Sequence, residues 1–384
     1  MSRADPFKLA VLACPGGRAF AKEVIAHLQR WYRRKSENPD PLPSFNINVR
    51  HTLFANGELK AELLDSVRGG DIYIVADVEN RYPLEFHGGV TRALTINDHL
   101  ISIFVTVDAV KQAGAGRITL VLPNYPYSRQ HKRRSREGLT ASRIGIIFET
   151  LGVNRLLTLD IHSSEIGNSF RTMGFDNLHA SYQIIRELSK IEEIREGNFV
   201  VVSPDTGAVD RNKFYATGFK KPLALLYKER DYSRISKDAN ENNIAEIKLL
   251  GSVRDKTVFM ADDILGTGGT LLKAMGFLKD QGAKKVIAAV SLPLFSGDAI
   301  AYFDAAHRKG LFYRIIGTNA VYHEELLKRE WYLSVSVSKL FARTISRLHQ
   351  EQSVSSLLDN RAPIERLLAE VPGPGENRGP GEGR

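Results

Sequence analysis

The sequence predicts an α/β protein in which mainly parallel sheets are flanked by helices. Several short runs of β-branched and other apolar residues show almost no polar alternation, which is typical of parallel strands buried on both faces. Amphipathic stretches with helical spacing lie between these runs, so that strand and helix alternate along the chain. The 384 residues exceed the usual length of one domain, and we therefore expect two domains.

The elements follow from the positions of these runs. The predicted strands are the apolar segments KLAVLAC (8–14), FNINVRHTL (45–53), DIYIVAD (71–77), RITLVLP (117–123), RLLTLDI (155–161), FVVVSPD (199–205), LALLYK (223–228), TVFMADD (257–263) and KVIAAVS (285–291). The clearest predicted helices are Phe20–Arg34, Asp98–Ala113, Thr140–Leu151 and Gly269–Gln281. Two strands, RLLTLDI and TVFMADD, end in acids about a hundred residues apart, which suggests two similar halves.

We expect domains at residues 1–168 and 169–358. Beyond them, residues 359–384 end in the Pro/Gly-rich stretch VPGPGENRGPGEGR and are expected to be a disordered tail. The N-terminus lacks a secretory signal, no apolar run is long enough to span a bilayer, and Cys14 is the only cysteine. These features predict a cytoplasmic protein without a membrane partner.

The net charge of +9 raises the question of a nucleic-acid partner. The excess is scattered along the chain, with one dense patch at SRQHKRRSR (128–136). A protein that binds nucleotides and sugar phosphates also needs local positive potential, so charge alone does not separate these two classes.

The stretch VFMADDILGTGGTLLKA (258–274) carries the strongest chemical signal. Asp262 and Asp263 fall at the carboxyl end of a predicted parallel strand, where ligands of open sheets gather. The GTGGT that follows offers unobstructed backbone N–H groups, two hydroxyls and a helix N-terminus, which together suit a phosphate monoester. The acids suit sugar hydroxyls or a hydrated Mg²⁺. The structural alternative is a turn shaped by its glycines, with the acids capping the helix.

The segment ADDILGTGGTLLKA resembles the phosphoribosyl-diphosphate loop of type I phosphoribosyltransferases and of ribose-phosphate diphosphokinases. By this resemblance the loop holds ribose 5-phosphate, and the residues implied are Asp262, Asp263, Gly266, Thr267, Gly268, Gly269 and Thr270.

Further segments resemble those of the diphosphokinases. The segment YPYSRQHKRRSREGLTA is similar to a segment with which they contact ATP, and the residues implied are Arg129 and Gln130. The segment FANGE is similar to a second ATP-contacting segment, which is often supplied by a neighbouring subunit, and the residues implied are Asn56, Gly57 and Glu58.

Two segments resemble the metal-binding parts of this family. TLDIHSS resembles the metal signature, with His162 as the ligand and Asp160 in support. VVSPDTGAVDRNKFYA resembles the pyrophosphate loop, with Asp205 as a second metal ligand. LYKERDYSR is similar to the catalytic flexible loop, which places Lys228 and Arg230 over the transferring phosphoryl groups. Taken singly, a charged turn or a histidine after a strand is more often structural.

The resemblance extends from about Lys8 to Phe341 and implies two tandem type I phosphoribosyltransferase-like domains. It implies a Mg²⁺-dependent transfer of diphosphate from ATP to the anomeric hydroxyl of ribose 5-phosphate, which gives 5-phosphoribosyl 1-diphosphate and AMP for nucleotide biosynthesis. It also implies a homo-oligomer, often a hexamer, whose sites are shared between subunits.

Two other functions compete with this interpretation. Gly266 stands where the family usually has a third acid, His131 where it has Asp, and Ala208 where it has a second Gly. These departures favour a non-catalytic regulatory paralogue that assembles with an active synthase, whereas His162, Asp205, Lys228 and Arg230 oppose it. A nucleic-acid-binding protein is disfavoured because the basic residues cluster beside nucleotide motifs and not on a recognition helix.

Overall fold

The computed structural model describes residues 9–35, 44–133, 135–191, 194, 198–230 and 244–370. These residues form two compact units. The first runs to Ala180 and includes Asn319–Glu324 and Ser336–Asp359; the second comprises Ser181–Thr318, Glu325–Val335 and the residues from Asn360 onward. Within the described residues, no helix has the length and apolar character needed to cross a bilayer.

The first unit is built on a five-stranded parallel sheet. In chain order its strands are β1 (Leu9–Ala13), β4 (Asp71–Val75), β7 (Arg117–Val121), β8 (Arg155–Leu159) and β9 (Gly174–Leu178), and they keep that order across the sheet. All five residues of β4 are buried, as expected for a central strand covered on both faces. Because every strand runs the same way, their carboxyl ends share one edge of the sheet.

Helices and two hairpins complete this unit. The helices are α1 (Arg18–Lys35), α2 (Ile96–Gln112), α3 (Thr140–Thr150), α8 (Ser338–His349) and α9 (Ser355–Leu358), numbered in chain order over the whole protein. The hairpins are β2–β3 (Val49–Leu53, Leu59–Leu63) and β5–β6 (Leu84–Glu85, Thr91–Arg92). Thr95 and Asp98 form a capping box that starts α2, which satisfies two backbone N–H groups at its N-terminus.

The buried carboxylate of Asp71 joins the late helix α8 to the first sheet. Arg117 donates to both oxygens of Asp71 at 2.7 and 2.6 Å, and Nδ1 of His349 lies 2.9 Å from Asp71 Oδ2. Since these partners satisfy the buried carboxylate, the contact ties α8 to a strand 278 residues earlier. This contact explains why 336–359 belongs to the first unit.

The second unit contains a seven-stranded sheet. Its strands are β10 (Phe199–Ser203), β11 (Leu223–Arg230), β12 (Ile244–Leu250), β13 (Thr257–Leu265), β14 (Lys285–Pro293), β15 (Arg314–Thr318) and β16 (Tyr332–Val335). The helices of this unit are α4 (Ser181–Leu188), α5 (Val209–Phe219), α6 (Gly269–Asp280), α7 (Ala299–Arg308) and α10 (Arg361–Ala369). Only the pair β11–β12 is antiparallel among the strands of this sheet.

The strand order of this sheet, β12-β11-β10-β13-β14-β15-β16, reverses its winding direction between β10 and β13. The chain leaves β10 toward β11 on one side, and β13 then lies on the other side of β10. In open α/β sheets a crevice forms at such a switch point, outside the carboxyl ends of the two strands. The fold therefore provides a ligand position where Ser203 and Leu265 end their strands.

The predicted fold class is confirmed: both large sheets are mainly parallel and flanked by helices. Each of the nine predicted strands and the four predicted helices is present, with ends that shift by a few residues. Several strands were missed, among them β9 and β16. The segment GFDNL of β9 contains Gly, Asp and Asn, which strands disfavour, so only its pairing with β8 makes it a strand.

The tail needs a correction. Within the expected disordered range 359–384, Arg361–Ala369 form helix α10, whose Ile364 is buried. Ile364, Leu367 and Leu368 recur with helical spacing, a signal that the Pro/Gly content of the following residues obscured. Residues 371–384 lie outside the described part of the chain. The linear domains 1–168 and 169–358 stay a prediction.

Candidate active site

Asp262 and Asp263 lie near the carboxyl end of β13, as the sequence predicts. Asp263 is buried, and its Oδ2 lies 3.9 Å from the guanidinium of Arg211 on α5. The N–H of Asp263 donates to Asp262 Oδ1 at 2.8 Å, and the N–H of Ile264 donates to Asp263 Oδ1 at 2.8 Å. Burial, followed by the charge of Asp263, raises the pKa of the Asp262 carboxyl. Hydrogen-bond donors from a bound ligand would therefore stabilise this pair.

The glycine loop after β13 has the backbone geometry of an anion site. Gly268 has φ +75° and is the N-cap of α6, and a Cβ at this position would meet the ring of Phe303 at 2.3 Å. The first helical bond of α6 is donated by Leu272 to Gly268, so the N–H groups of the preceding first-turn residues have no partner inside the helix. Such N–H groups, at the positive end of the helix dipole, are suited to bind a phosphate.

Asp205 lies in the turn after β10, beside the loop that follows β13. Its Oδ1 accepts the N–H groups of Gly207 at 2.9 Å and Ala208 at 3.0 Å, while Ser203 Oγ donates to its carbonyl oxygen at 2.7 Å. One carboxylate oxygen of Asp205 therefore shapes the turn before α5.

Asn212 connects these two loops, and it was not among the residues singled out from the sequence. This fully buried residue of α5 donates through Nδ2 to the carbonyl oxygens of Ala208 at 2.9 Å and Ala261 at 2.8 Å. Its Oδ1 accepts the N–H of Ala261 at 2.8 Å. Because Ala208 ends the Asp205 turn and Ala261 precedes the acid pair, Asn212 fixes one relative to the other. Its bonds to Ala261 join residues that are 49 positions apart in the sequence, so only the folded chain reveals this role.

Lys228 and Arg230 lie on β11, next to β10. The parallel pairing of β10 with β11 ends at Ser203 and Leu225, and β11 continues as an antiparallel pair with β12. Lys228 lies three residues past Leu225, roughly 10 Å beyond the paired end of β10 at the rise of a strand. Its backbone thus extends past the carboxyl edge of the sheet, where the acid pair lies. The side chains of both residues, and residues 231–243, are outside the described part of the chain.

The first unit holds another group of predicted residues at the carboxyl edge of its sheet. Arg129 and Gln130 follow β7 and are exposed, and the N–H of Gln130 donates to Tyr127 at 2.8 Å. The hydroxyl of Tyr127 donates to Oδ1 of Asn97 at the start of α2. The loop is thereby held against the N-terminus of α2 while its Arg and Gln side chains remain accessible.

His131 and His162 lie side by side in this unit. Their rings are 5.1 Å apart, nearly edge to face, which joins the loop after β7 to the loop after β8. Burial, followed by the positive charges of His162 and Lys132, lowers the pKa of His131. Asp160, which the resemblance assigns to the support of His162, accepts from His179 Nδ1 at 2.8 Å and from the N–H of Ala180 at 3.0 Å. These two bonds join the residue after β8 to the residues after β9.

Two further carboxylates, Asp77 and Glu79, follow β4 at the same edge and were not singled out from the sequence. Asp77 is buried and accepts the N–H groups of Tyr322 and Glu79, each at 2.9 Å. Burial raises its pKa to about 7. Glu79 forms an ion pair with Arg81 at 3.1 Å. Burial raises the pKa of Glu79, and the charges of Arg81 and Arg129 act in the opposite direction. Glu79 thus relates the strand end to the predicted ATP segment.

Asn56, Gly57 and Glu58 occupy the tight turn of the β2–β3 hairpin, outside the main sheet. Gly57 has φ +93°, and the N–H of Glu58 donates to Asn56 Oδ1 at 3.1 Å. The β5–β6 hairpin supports this one, because Phe86 and Leu94 pack with Leu53 in a small apolar cluster. The turn is therefore well formed and exposed, as a segment that contacts a ligand requires.

The structure thus places the predicted residues in two groups. In the second unit, the Asp205 turn, the acid pair, the glycine loop and the backbone of Lys228 share one sheet edge on the two sides of the switch point. In the first unit, Arg129, Gln130 and His162 follow neighbouring strands, and Asn56–Glu58 form a separate hairpin turn. The two predicted metal ligands, His162 and Asp205, belong to different units. Within the described ranges, no group of three or more His, Cys, Asp or Glu side chains is arranged to hold a metal.

Comparisons with known proteins match two successive parts of the chain. A family profile for the N-terminal domain of ribose phosphate pyrophosphokinase matches residues 9–152, and one for the phosphoribosyl transferase domain matches residues 174–321. The ribose-phosphate pyrophosphokinase of Staphylococcus epidermidis is 33% identical over 80% of this chain and 87% of its own. Ribose-phosphate pyrophosphokinase A of Dictyostelium discoideum is 33% identical over 80% of this chain and 88% of its own.

A solved structure gives the same result. The phosphoribosylpyrophosphate synthetase from Mycobacterium smegmatis superposes with a TM-score of 0.73 and 26% identity, over 89% of this chain and 99% of that one. Both family domains, in the family order, are therefore present over most of the sequence. The chain belongs to the family of ribose-phosphate pyrophosphokinases and is an enzyme of that family.

Proposed function

We propose that this protein transfers diphosphate from ATP to the anomeric hydroxyl of ribose 5-phosphate, which yields 5-phosphoribosyl 1-diphosphate and AMP for nucleotide biosynthesis. The observation that carries the proposal is the position of the acid pair and the glycine loop at the switch point between β10 and β13. The family membership, with relatives named ribose-phosphate pyrophosphokinase, supports the same reaction.

The sugar phosphate fits the chemistry of this edge. Its phosphate is bound by the N–H groups at the start of α6 and by the hydroxyls of Thr267 and Thr270, both of which are exposed. Its 2- and 3-hydroxyls donate to Asp262 and Asp263, whose proximity makes them strong acceptors. In this site Gly266 contributes backbone alone, and its carbonyl oxygen accepts the N–H of Ser296 at 3.0 Å.

ATP is assigned to Arg129, Gln130 and the turn Asn56–Glu58. Arg129 provides a planar fork for phosphate, while Gln130 offers both a donor and an acceptor for adenine. The turn of Asn56–Glu58 is exposed on its own hairpin, which agrees with a role in contacting the nucleotide of a neighbouring subunit in a homo-oligomer, such as the hexamer the family resemblance implies.

The anomeric oxygen attacks the β-phosphorus and loses its proton, while the bond from that phosphorus to the oxygen of AMP breaks. Phosphoryl transfer of this kind depends on positioning and on the neutralisation of charge more than on covalent help. Lys228 and Arg230, on the strand that extends past the sheet edge, supply positive charge to the phosphoryl oxygens. They are the catalytic residues of the proposal.

The residues present fit a Mg²⁺ that is bound largely through its substrate. Asp205 uses one carboxylate oxygen to form its turn, and His162 is exposed, so each offers a single ligand. Mg²⁺ is commonly held by one or two protein ligands together with substrate phosphates and water. When bound, the ion would neutralise charge on the phosphate oxygens of ATP.

The test is AMP release by the purified full chain in the presence of ATP, Mg²⁺ and ribose 5-phosphate. We expect AMP to form only when the sugar phosphate is present, and omission of the sugar phosphate controls for simple ATP hydrolysis. A folded protein that releases no AMP and captures an active synthase in a pull-down would support the regulatory paralogue instead. The contact of His131 with His162, at a position where the family has Asp, is the observation that keeps that rival open.

A further inference from the structure

A basic groove lies between helices α1 and α8 of the first unit. The two helices pack against each other, with Phe20 and Phe341 in edge-to-face contact at 5.2 Å between ring centres. A cavity of about 320 Å³ opens beside this contact, and Leu28 and Ala342 form its buried floor. The walls carry charge and one indole: His27, Arg30, Trp31, Arg34, Lys339 and Arg343.

The spacing of these residues shows that both helices turn one basic face to the groove. On α1 the wall residues His27, Arg30, Trp31 and Arg34 follow the i, i+3, i+4, i+7 pattern of a single helix face. Lys339 and Arg343 are four residues apart on α8. Because like charges so placed repel one another, the arrangement costs free energy unless an anion neutralises it.

No carboxylate lines the cavity among the described residues. The nearest acid on the same face of α1, Glu23, is engaged elsewhere: its Oε2 accepts from Asn319 at 2.8 Å, Ser336 at 3.1 Å and Ser338 at 2.8 Å. Burial, and then the charges of Arg30 and Lys339, lower the pKa of His27, while the charge of Glu23 acts in the opposite direction.

Arg343 on α8 contacts Trp31 of α1 in this groove. Its guanidinium lies over the indole, 5.6 Å from the ring centre. Its Nε is buried and has no hydrogen-bond partner among the described residues, and such donors usually find one. A bound anion would supply it.

We propose that this groove binds a small anion that carries two or more phosphate groups. Several cations converge on a cavity at the lower end of ligand-pocket sizes, which suits a compact polyphosphate or polyphosphate ester. The groove lies away from the carboxyl edge of the first sheet, where Arg129 and Gln130 lie: it begins nine residues into α1, roughly 13 Å along the helix from its first residue after β1.

The test uses inorganic tripolyphosphate and the fluorescence of Trp31. The chain has two tryptophans, and Trp331 is buried in the core of the second unit. We expect saturable quenching or a spectral shift when tripolyphosphate is added to the full chain, and we expect Trp31→Phe to abolish it. If the change persists in Trp31→Phe, or if the wild-type protein shows none, the proposal is wrong.

A matched pair of charge-reversal variants distinguishes a specific anion site from non-specific attraction of the anion to the basic surface. Arg30 and Arg33 are both exposed on α1, but only Arg30 lines the groove. We expect Arg30→Glu, and independently Lys339→Glu on the other helix, to weaken tripolyphosphate binding by about tenfold or more, and Arg33→Glu by less than about twofold. Equal weakening by Arg30→Glu and Arg33→Glu would show non-specific attraction and overturn the proposal. Circular dichroism and thermal melting check that each variant is folded. The binding measurement does not depend on AMP release, so it is independent of the proposed function.

Discussion

The side-chain amide of Asn212 forms two hydrogen bonds with the backbone of Ala261, one donated and one accepted, each at 2.8 Å. Asn212 thus acts on β13 as an additional strand would, and it does so directly before the acid pair. Asn212 also donates a third hydrogen bond to the carbonyl oxygen of Ala208, so the same side chain holds the Asp205 turn. The position of the two loops therefore depends on one buried side chain.

Replacement of Asn212 should harm both stability and sugar-phosphate binding. Asn212→Ala removes the side-chain partners of the buried N–H and carbonyl groups of Ala261, at a cost of about 2–4 kcal/mol in the free energy of unfolding. The KM for ribose 5-phosphate should also rise. Urea denaturation and steady-state kinetics measure the two effects. Asn198 is the control, since it is exposed and makes a single bond to Asp255 at 3.2 Å, so that Asn198→Ala should cost under about 1 kcal/mol. Equal costs at both positions would contradict the anchor role.

Adjacent glycines in the loop should respond very differently to a methyl group. Gly268→Ala must accommodate both a φ of +75° and a Cβ that meets Phe303 at 2.3 Å, so we expect a loss of at least about 2 kcal/mol in unfolding free energy. Gly269→Ala adds its Cβ where no atom lies within 4 Å, and it should change stability by no more than about 1 kcal/mol. Thermal melting of the two variants measures this difference. If both variants melt together with the wild type, the left-handed conformation of Gly268 is not required.

Lys228 should be needed for turnover and not for the fold. We expect Lys228→Ala to lower kcat for AMP formation by about two or more orders of magnitude, because its charge is assigned to the phosphoryl oxygens. The melting temperature should be close to that of the wild type. Lys248→Ala is a matched control, since Lys248 is exposed on the neighbouring strand β12, opposite Tyr227. Near-normal AMP release by Lys228→Ala would remove this residue from the proposed mechanism.

The buried carboxyl of Asp77 should make stability depend on pH near neutrality. Burial raises its pKa to about 7 from an unfolded value near 4, so the folded state holds its proton more tightly than the unfolded chain does. Its contribution is then complete below about pH 4 and is lost as the pH rises through about 7. The neighbouring Glu79, whose pKa is also raised by burial, contributes in the same direction.

Urea denaturation between pH 5 and pH 8 tests this. The unfolding free energy of the wild type should fall over this range by about 1 kcal/mol or more, and that of Asp77→Asn should fall less steeply. The substitution itself lowers stability, because one amide group cannot accept the N–H groups of both Tyr322 and Glu79. The slope with pH is therefore the diagnostic quantity, and equal slopes in the two proteins would refute the assignment.

Sequence reasoning was most successful where the signal is local. Continuous apolar runs identified the strands with two covered faces, and the acids near the end of β13 and the glycines after it were correctly expected at a strand end. Sequence reasoning was less successful where partners are distant: Asn212 bonds to Ala261, 49 residues later, and β9 is a strand only through its pairing with β8. The helix at Arg361–Ala369 was missed because Pro and Gly dominate the residues after it.

The sequence by itself determined the α/β class, the strand–acid–glycine loop at 261–270 and the family motifs, because each depends on residues close together along the chain. Only the tertiary structure decided which strand ends become neighbours. The reversal of winding between β10 and β13 sets the Asp205 turn beside the acid pair, and the hydrogen bond between His349 and Asp71 ties a late helix to the first sheet. Both results depend on the burial of surfaces from distant segments, and local preferences along the chain carry no record of such pairings.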